Sequence, residues 1–324
     1  MHTPLEEYKR LSRTTLSTRI ALVQRRASLL LKREDLNPSG SHKDRALNPF
    51  LSNLIRAGEK EFCLSSSGNL AIAAAHLAQT DPSISFHLFL PNSLDARKRT
   101  RLAHTLGLPF SPQSPLFSMV NSIDTAGNIT YYFSRIPKTD AVKFSKEKKI
   151  RLLRSSTDEE MLEGYHQLAQ ELIDQAAHRP IGSIFIAASS GTALVGLWEG
   201  FKKLQMTNDK LQTPQLHIVQ STKVHPMASN FDNDFTATDV SIAAAIVDRV
   251  AHRKPQVIEA VQASGGSGWV ASDQEIEEAR LHLIHTTNIE DVSPESAMSL
   301  AGLQKALRKG FSVKTPVVLV LTGQ

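Results

Sequence analysis

The sequence NPSGSHKDRAL, residues 37–47, places a lysine between an apolar run and a segment with helical character. Lys43 lies three residues after Gly40, where the pattern predicts that a strand has ended and a helix begins. A lysine on a solvated surface needs no such setting. A lysine that reacts as an amine must be held in place, and it must lose its proton before it attacks a carbonyl carbon. The stretch therefore marks Lys43 as a candidate reactive amine, with an exposed lysine at a helix start as the alternative.

Short runs of aliphatic and β-branched residues recur along the chain and predict strands that are buried on both faces, as in a parallel sheet. Helical patterns lie between these runs, and this alternation is typical of an α/β fold with a largely parallel sheet. The runs comprise residues 28–32, 61–65, 85–90, 183–189, 216–221 and 316–322.

Residues 156–178 carry the clearest helical pattern, with an apolar stripe at helical spacing that includes Tyr165. A capping box at the start of this helix would pair Ser156 with Glu159, or Thr157 with Glu160. The sequence leaves both pairings open.

Two later helices carry equally clear signals. Ser272 and Glu275 have the spacing of a second capping box. Ser293 followed by Pro294 predicts an N-cap and the first helical position of another helix, and Gly310 predicts its end.

Residues 109–150 and 222–240 show no clean period. The first segment mixes proline, glycine, serine and aromatic residues, and the second is rich in asparagine and aspartate. Both are predicted to be long surface loops or insertions, which are often functional or mobile.

The bulk properties exclude several classes of protein. The chain has 324 residues, a net charge of +5 and a pI of about 9.3. Its basic clusters at 95–101 and 146–151 lack the interleaved aromatics of a nucleic-acid surface, and we interpret them as solvated faces. The single cysteine, Cys63, suits a reducing compartment, and no apolar run is long enough for a membrane span. We expect a cytoplasmic globular protein that binds neither nucleic acid nor membrane, and no metal, since the histidines lack ligand spacing.

Three turns share the order of a strand, small hydroxyl residues with glycine, and a helix; they lie in residues 37–47, 64–78 and 187–201. In doubly wound sheets ligands bind where strands end and helices begin, and free N–H groups at a helix N-terminus hold anions. Each turn alone is also explained by an ordinary N-cap, and none fits a phosphate loop or a dinucleotide fingerprint. Together they predict two or three anionic groups at the carboxyl edge of the sheet.

Taken together, these segments resemble the fold-type II pyridoxal-phosphate enzymes. KREDLNPSGSHKDRA (32–46) resembles the lysine segment of that family, and SSSGNLAIAAAHLA (65–78) resembles its asparagine loop. SSGTALVG (189–196) resembles its phosphate cup, and VSPESAMSLAGLQKAL (292–307) with VVLVLTG (317–323) resembles its C-terminal helix and final strand. Within the family the segments look most like those of threonine synthases.

The resemblance implies two doubly wound α/β domains with largely parallel sheets, the smaller inserted in the larger. Residues 1–47 and 151–324 would form the large domain that binds pyridoxal phosphate, and residues 48–150 a small mobile domain. A homodimer is implied as well.

The resemblance also assigns roles to single residues. Lys43 would form a Schiff base with pyridoxal 5'-phosphate and, once displaced by a small amino-acid substrate, act as the general base. Asn69 would face the ring oxygen of the cofactor, and Thr322 would set a neutral hydroxyl beside the pyridine nitrogen. The remaining cofactor-binding residues would be His42, Ser189, Ser190, Gly191 and Thr192, and the substrate-binding residues Ser66, Ser67, Gly68, Arg154 and Ser155.

Three functions follow from the resemblance. The first is a lyase that converts O-phosphohomoserine and water to threonine and phosphate. The second is a β-replacing enzyme or a serine/threonine dehydratase, and the third is a relative that binds pyridoxal phosphate or an amino acid without turnover. His42 and the pair Ser189 and Ser190 depart from the threonine synthase pattern, in which phenylalanine and more glycine are usual, so the alternatives stay open.

Overall fold

The computed structural model describes residues 2–8, 29–66, 68–94, 96–107, 123–176 and 179–324. The strands in these ranges are β1 (Leu5–Glu7), β2 (Leu29–Lys32), β3 (Glu61–Ser65), β4 (Ser85–Pro91), β5 (Ile123–Ala126), β6 (Ile129–Ser134), β7 (Arg151–Leu153), β8 (Ser183–Ala187), β9 (Gln215–Ser221), β10 (Gly268–Ala271) and β11 (Val317–Val320). The helices are α1 (Lys43–Arg56), α2 (Asn69–Thr80), α3 (Ala96–Thr105), α4 (Pro137–Lys148), α5 (Glu163–Gln175), α6 (Thr192–Thr207), α7 (Lys254–Ala263), α8 (Asp273–Thr286) and α9 (Pro294–Arg308). Within the described ranges, every helix is too short or too polar to cross a bilayer.

The backbone divides into a large unit, residues 1–42 and 162–324, and a small unit, residues 43–161. The sequence prediction placed the divisions after residues 47 and 150, which lie five and eleven residues from the boundaries at 42 and 161. Helix α1 packs against α2, and β7 pairs with β3, so both α1 and β7 belong to the small unit.

The large unit is built on a six-stranded sheet with the order β1-β2-β11-β8-β9-β10. Every neighbouring pair is parallel except β1 with β2. Strand β11 lies between β2 and β8, and Val318 is opposite both Leu30 and Ile184. The predicted doubly wound fold with a largely parallel sheet is confirmed.

The core of the large unit explains why its strands were visible in the sequence. Strands β2, β8, β9 and β11 are buried at every position. A strand buried on both faces reads as a continuous apolar run rather than an alternating one. Helix α9 packs on this sheet so closely that a Cβ added at Gly302 would overlap the side chain of Val219.

The small unit has a five-stranded sheet with the order β5-β6-β4-β3-β7, parallel except for the hairpin of β5 and β6. Cys63 on β3 is 0% exposed and packs in a cluster with Phe89 and Ala141. Burial raises the pKa of the Cys63 thiol to about 11, so the thiol stays protonated at neutral pH. Cys63 therefore behaves as a small buried apolar residue.

The prediction of a long loop over residues 109–150 is wrong for the part that the structure describes. Residues 123–134 form the β5–β6 hairpin, and α4 follows it. The helix was hard to predict because Ala141 is its one buried residue, so it carries no apolar stripe. Residues 109–122 of this segment lie outside the described residues.

Two predicted helix starts are confirmed. The Oγ of Ser272 accepts from the N–H of Glu275 at 3.2 Å, and the carboxylate of Glu275 accepts from the N–H of Ser272 at 2.8 Å. This reciprocal pair is the predicted capping box of α8. The Oγ of Ser293 accepts from the N–H of Ser296 at 3.2 Å, and Pro294 follows as the first residue of α9.

The predicted capping box at the start of the 156–178 helix is wrong. A 3₁₀ turn at Glu159–Leu162 leads into α5, and no side chain caps that helix. The local acceptor is Asp158, whose Oδ2 accepts from the N–H of Arg154 at 2.7 Å. Asp158 therefore closes a turn at the end of β7, in place of a cap by Ser156 or Thr157. Burial raises the pKa of this carboxyl group.

The prediction of an irregular segment at 222–240 is confirmed, since a 3₁₀ turn at Ala228–Asn230 interrupts it and no helix or strand forms there. Asp232 fixes the segment: its Oδ2 accepts from the N–H of Val270 at 2.9 Å and lies 2.7 Å from Nζ of Lys305. Both side chains of this ion pair are almost fully buried. The segment is therefore held on β10 and α9 despite its polar composition.

Candidate active site

The part of the lysine segment (residues 37–43) that belongs to the large unit lies against residues 322–324. The backbone N–H of His42 donates to the carbonyl oxygen of Thr322 at 3.0 Å, and two further backbone contacts join the segments on either side. Lys43 follows His42 directly as the first residue of α1 and is half-buried. The residue before the candidate reactive lysine is therefore fixed by its backbone.

The start of helix α9 holds residues 322–324 in turn. The hydroxyls of Ser293 and Ser296 both donate to the carbonyl oxygen of Gly323, at 2.5 and 2.6 Å. The Oγ of Ser296 also accepts from the N–H of Gly323 at 3.0 Å. Thr322, the residue between this anchor and β11, is 4% exposed. The C-terminal helix and the residues after the final strand, both singled out in the sequence, are thus joined by hydrogen bonds.

The phosphate cup (residues 189–192) connects β8 to α6. Gly191 is the N-cap of α6 with φ +84°, and a Cβ added there would overlap Cγ2 of Val257, so the position requires glycine. The Oγ of Ser190 and the Oγ1 of Thr192 lie 3.0 Å apart, and both residues are buried. The first turn of α6 contains no acidic residue. Free N–H groups, hydroxyls and the positive end of the helix dipole make this turn suitable for a phosphate.

Ser189, at the entrance of the phosphate cup, also organises the backbone around it. Its Oγ accepts from the N–H groups of Val247 and Asp248, at 3.0 and 3.1 Å. Both lone pairs of the hydroxyl oxygen are used in this way, so Ser189 has only its hydrogen to offer to a ligand.

Gln220 is a buried residue of β9 that braces the phosphate cup, and sequence analysis did not single it out. Its Nε2 donates to the carbonyl oxygen of Ala188 at 3.1 Å. Its Oε1 accepts from the N–H groups of Met227 and Ala228, both at 2.9 Å. The signal that could have marked it is a long polar side chain in the predicted buried strand 216–221.

The asparagine loop (residues 66–69) follows β3 in the small unit. The Oγ of Ser66 accepts from the N–H of Gly68 at 3.1 Å and from that of Ala71 at 3.3 Å, so Ser66 keeps its hydroxyl hydrogen for a ligand. Asn69 begins α2, and within the described part of the chain its buried Oδ1 makes no hydrogen bond. A buried amide oxygen of this kind is typical of a site that a ligand completes. Ser67 lies outside the described residues.

Lys98 is a second residue that sequence analysis missed. We interpreted the basic cluster at 95–101 as a solvated face, but Lys98 is 5% exposed. Its aliphatic stem packs on Gly68, where an added Cβ would overlap it. The interpretation is therefore wrong for Lys98, which lies against the asparagine loop.

Arg154 and Ser155 follow the carboxyl end of β7. Arg154 lines an open cavity of about 340 Å³ within the small unit, together with Lys146, Arg151 and Asp158. Basic side chains outnumber acidic ones around this cavity, which suits an anionic ligand. Ser155 is half-buried next to Arg154 in the chain.

Each unit collects its candidate residues at one edge of its sheet. In the large unit, the lysine segment, Thr322 and the phosphate cup follow the carboxyl ends of the neighbouring parallel strands β2, β11 and β8. In the small unit, the asparagine loop and Arg154 follow the neighbouring parallel strands β3 and β7. This edge is where open α/β sheets bind their ligands.

Comparison with known proteins shows the fold and the family of this protein. An L-serine ammonia-lyase from the fungus Rhizomucor miehei shares the fold, with a TM-score of 0.73, 16% identity and coverage of 100% of this chain and 93% of that one. The chain belongs to the family described as "Pyridoxal-phosphate dependent enzyme", which matches residues 2–323. It is 26% identical to the threonine synthase of Methanocaldococcus jannaschii, over 91% of this chain and 69% of that protein. It is 27% identical to the threonine synthase of Mycobacterium tuberculosis, over 90% of this chain and 75% of that protein.

Pyridoxal phosphate is the cofactor of this family, and the residues present fit it. The phosphate cup has the required glycine at position 191, buried hydroxyls and no carboxylate in its helix turn. The amide oxygen of Asn69, which has no partner among the described residues, can accept from a donor on a ligand. Recognition of the family, the fold and the cofactor from sequence is therefore confirmed.

Proposed function

We propose that this chain is a lyase of the threonine synthase type, which converts O-phosphohomoserine and water to threonine and phosphate. The observation that carries the proposal is the phosphate cup, whose backbone and hydroxyls suit the cofactor's phosphate. Relatives named threonine synthase, 26 and 27% identical over about nine-tenths of the chain, support the choice of substrate. Pyridoxal phosphate, when bound, supplies an aldehyde that links to amines and a ring that withdraws electrons from the α-carbon.

Lys43 is the residue that we assign to the aldehyde of the cofactor. Its place at the first position of α1, directly after the backbone-fixed His42, limits the movement of its Cα. Nζ of Lys43 would bind the aldehyde of the cofactor and, in the presence of an amino-acid substrate, would accept the α-proton as general base.

The large unit supplies the other groups that hold the cofactor. The phosphate would be bound by Ser189, Ser190, Gly191 and Thr192. His42, the residue before Lys43, would also contact the cofactor. Thr322 would place its hydroxyl beside the pyridine nitrogen. A neutral partner at that nitrogen suits elimination and replacement, whereas a carboxylate partner would strengthen the electron withdrawal that transamination needs.

The small unit supplies the groups for the substrate. Ser66 and Ser67 would donate their hydroxyl hydrogens to the substrate carboxylate. The N–H of Gly68 already donates to Ser66 and therefore contributes by shaping the loop. Asn69 would donate a hydrogen bond from its amide nitrogen to the ring oxygen of the cofactor.

A substrate that carries its own phosphate needs a second anion site. We assign this role to Arg154 and Ser155 at the carboxyl end of β7. The support is the basic character of the cavity that Arg154 lines with Lys146 and Arg151. Guanidinium groups bind phosphate through two parallel hydrogen bonds, which fix its orientation.

The test is an absorbance titration of the purified protein with O-phosphohomoserine, serine and threonine, combined with product analysis. A spectral change with O-phosphohomoserine, with release of phosphate and threonine, is the expected result. Release of ammonia from serine or threonine would replace the proposal by a dehydratase. A spectral change without any product would replace it by a binding protein. Lys43→Ala serves as the control that lacks the reactive amine.

We also propose a cytoplasmic homodimer, on the family resemblance and on the single buried cysteine. Light scattering of the purified protein tests the dimer, and a mass equal to one chain would contradict it. Cell fractionation tests the compartment.

A further inference from the structure

The side chain of Tyr165 on α5 makes two contacts with His42. Its hydroxyl oxygen lies 2.8 Å from Nδ1 of the His42 ring and 3.2 Å from the His42 carbonyl oxygen. The sequence predicted that Tyr165 belongs to a buried apolar stripe, and the residue is 0% exposed. Its hydroxyl is nevertheless bonded to the residue that precedes Lys43.

The two contacts together indicate which nitrogen of the His42 ring carries the proton. A carbonyl oxygen can only accept a hydrogen bond, and a tyrosine hydroxyl has one hydrogen to donate. Both contacts are hydrogen bonds at the same time only if the hydroxyl donates to the carbonyl of His42 and the ring donates from Nδ1–H to the oxygen of Tyr165. A neutral His42 ring then carries its lone pair on Nε2.

The position of Tyr165 is itself fixed by close packing of α5 on α6. A Cβ added at Gly196 of α6 would lie 2.6 Å from Cβ of Tyr165 and 2.9 Å from the carbonyl oxygen of Leu162. Only glycine permits this approach, so the ring of Tyr165 has little freedom to move. The phosphate cup opens the same helix, since α6 begins at Thr192.

We propose that Tyr165 is a positioning residue for the lysine segment. Through one hydroxyl it sets the tautomer of the His42 ring and fixes the peptide that precedes Lys43. His42 is thereby held on three sides: by Tyr165 at the ring, by Tyr165 at the carbonyl and by Thr322 at the N–H. The inference deepens the proposed function, because it rests on the role assigned to Lys43.

The first test reads the tautomer in cofactor-free protein labelled with ¹⁵N-histidine, with His42 assigned from the signal lost in His42→Phe. The expected result is a proton on Nδ1 of His42 in the wild type. In Tyr165→Phe, which removes only the hydroxyl, the proton gains population on Nε2. A wild-type His42 with its proton on Nε2, or an unchanged tautomer in Tyr165→Phe, overturns the inference.

The second test compares the affinity for pyridoxal phosphate of Tyr165→Phe with that of a matched control. Tyr8 also bonds a histidine, with its hydroxyl 2.8 Å from Nε2 of His282, and lies in the same unit. We expect the dissociation constant to rise about fivefold to tenfold in Tyr165→Phe, because the variant loses both hydrogen bonds to His42, and to stay unchanged in Tyr8→Phe. Equal effects of the two variants would mean a general loss of packing and would overturn the inference.

A double-variant cycle completes the test. In a His42→Phe background, Tyr165→Phe should weaken cofactor binding less than it does in the wild type, because the ring contact is already gone. The same loss in both backgrounds would show that Tyr165 does not act through the ring. The tautomer is read without cofactor, so these results stay separate from the outcome at Lys43. Failure of Lys43 to bind the cofactor would refute the proposed function and leave the tautomer result standing.

Discussion

The backbone N–H of His42 donates a 3.0 Å hydrogen bond to the carbonyl oxygen of Thr322. The residue before the candidate reactive lysine is thus tied to the residue assigned to the pyridine nitrogen. Their positions in the sequence are far apart, and the parallel pairing of β2 with β11 brings them to the same sheet edge. Any change that loosens residues 322–324 should therefore reach the lysine segment.

Ser296→Ala tests this connection, because Ser296 makes two hydrogen bonds with Gly323. We expect the free energy of unfolding to fall by about 1–3 kcal/mol, the cost of leaving the buried N–H of Gly323 unpaired while its carbonyl keeps the bond from Ser293, and the affinity for pyridoxal phosphate to fall as well. Denaturant unfolding and equilibrium dialysis measure the two effects. Ser299→Ala is the matched control, because the buried Ser299 hydroxyl bonds, among the described residues, only the helix carbonyl of Ser296. A loss of affinity as large in Ser299→Ala would contradict the connection.

Gly191→Ala tests the phosphate cup. The new Cβ would overlap Val257, and φ of +84° is unfavourable for any residue with a side chain. We expect a drop in affinity for pyridoxal phosphate on the order of tenfold or more, because the backbone N–H groups at the start of α6 must move. Gly265→Ala isolates the backbone effect, since Gly265 has φ +70° and open space around its Cβ position. That variant should lose about 1–2 kcal/mol of stability and keep its cofactor affinity. Comparable affinity losses in both would refute the assignment of the cup.

Gln220→Met tests the brace behind the phosphate cup. The substitution keeps the volume and leaves the carbonyl of Ala188 and the N–H groups of Met227 and Ala228 without their partner. Each unpaired buried group costs about 1–3 kcal/mol, so we expect both stability and cofactor affinity to fall. Gln215→Met is the control: Gln215 begins β9, is 6% exposed and makes hydrogen bonds of the same kind away from the cup. Gln215→Met should lose stability and keep its affinity, and the reverse outcome would contradict the prediction.

The buried ring of His217 should make the free energy of unfolding depend on pH. The ring is buried in β9, stacks on Phe185 at 4.1 Å and accepts at Nδ1 from the N–H of Ser267 at 3.1 Å. Burial lowers the pKa of His217 to about 3. Below about pH 6.5, His217 therefore binds a proton in the unfolded chain but not in the folded chain. The stability that this residue contributes is fully present above that pH and decreases as the pH falls toward 3.

The expected slope from this residue is about 1.4 kcal/mol per pH unit below about pH 6.5. His217→Asn keeps an acceptor for the N–H of Ser267 and cannot titrate, so its unfolding free energy should fall less steeply over the same range. Urea unfolding of both proteins at several pH values measures the difference. Parallel curves for the two proteins would show that His217 is not the responsible group.

Four strands of the large unit, β2, β8, β9 and β11, were predicted from the sequence to within about two residues, whereas β1 and β10 were not predicted. The reason is physical: a strand covered on both faces has no polar side, so it stands out as an apolar run. The hairpin and α4 in the small unit could not be predicted. Helix α4 has one fully buried residue, Ala141, and packs on the sheet mainly through the partly buried Phe144, so its contact face is too narrow to give a clear period in the sequence.

Local chemistry explains the other differences. The capping signals of α8 and α9 were decided within one helical turn and were predicted correctly. Ahead of α5, Asp158 closes a turn with the N–H of Arg154. The neighbouring hydroxyl residues Ser156 and Thr157 have the spacing of a capping box, which led to the wrong prediction. The helix therefore begins at Glu163, after these hydroxyl residues, and a spacing rule does not show such a shift.

The site was predictable where a motif is continuous and not where partners are distant. Lys43 and the phosphate cup lie in short segments whose order along the chain indicated the family. Gln220 and Tyr165 act on residues that are far from them in the sequence, and only the fold shows the pairing. Tyr165 was correctly predicted as buried, and the role of its hydroxyl depended on where α5 packs.

The most direct measurement of the central claim is borohydride reduction of the purified protein, followed by peptide mass spectrometry. The account predicts a pyridoxyl group on the Nζ of Lys43, and its disappearance in Lys43→Ala without a new adduct elsewhere. An adduct on another lysine, or none on protein that has been saturated with pyridoxal phosphate, would contradict the assignment of Lys43 and the mechanism built on it.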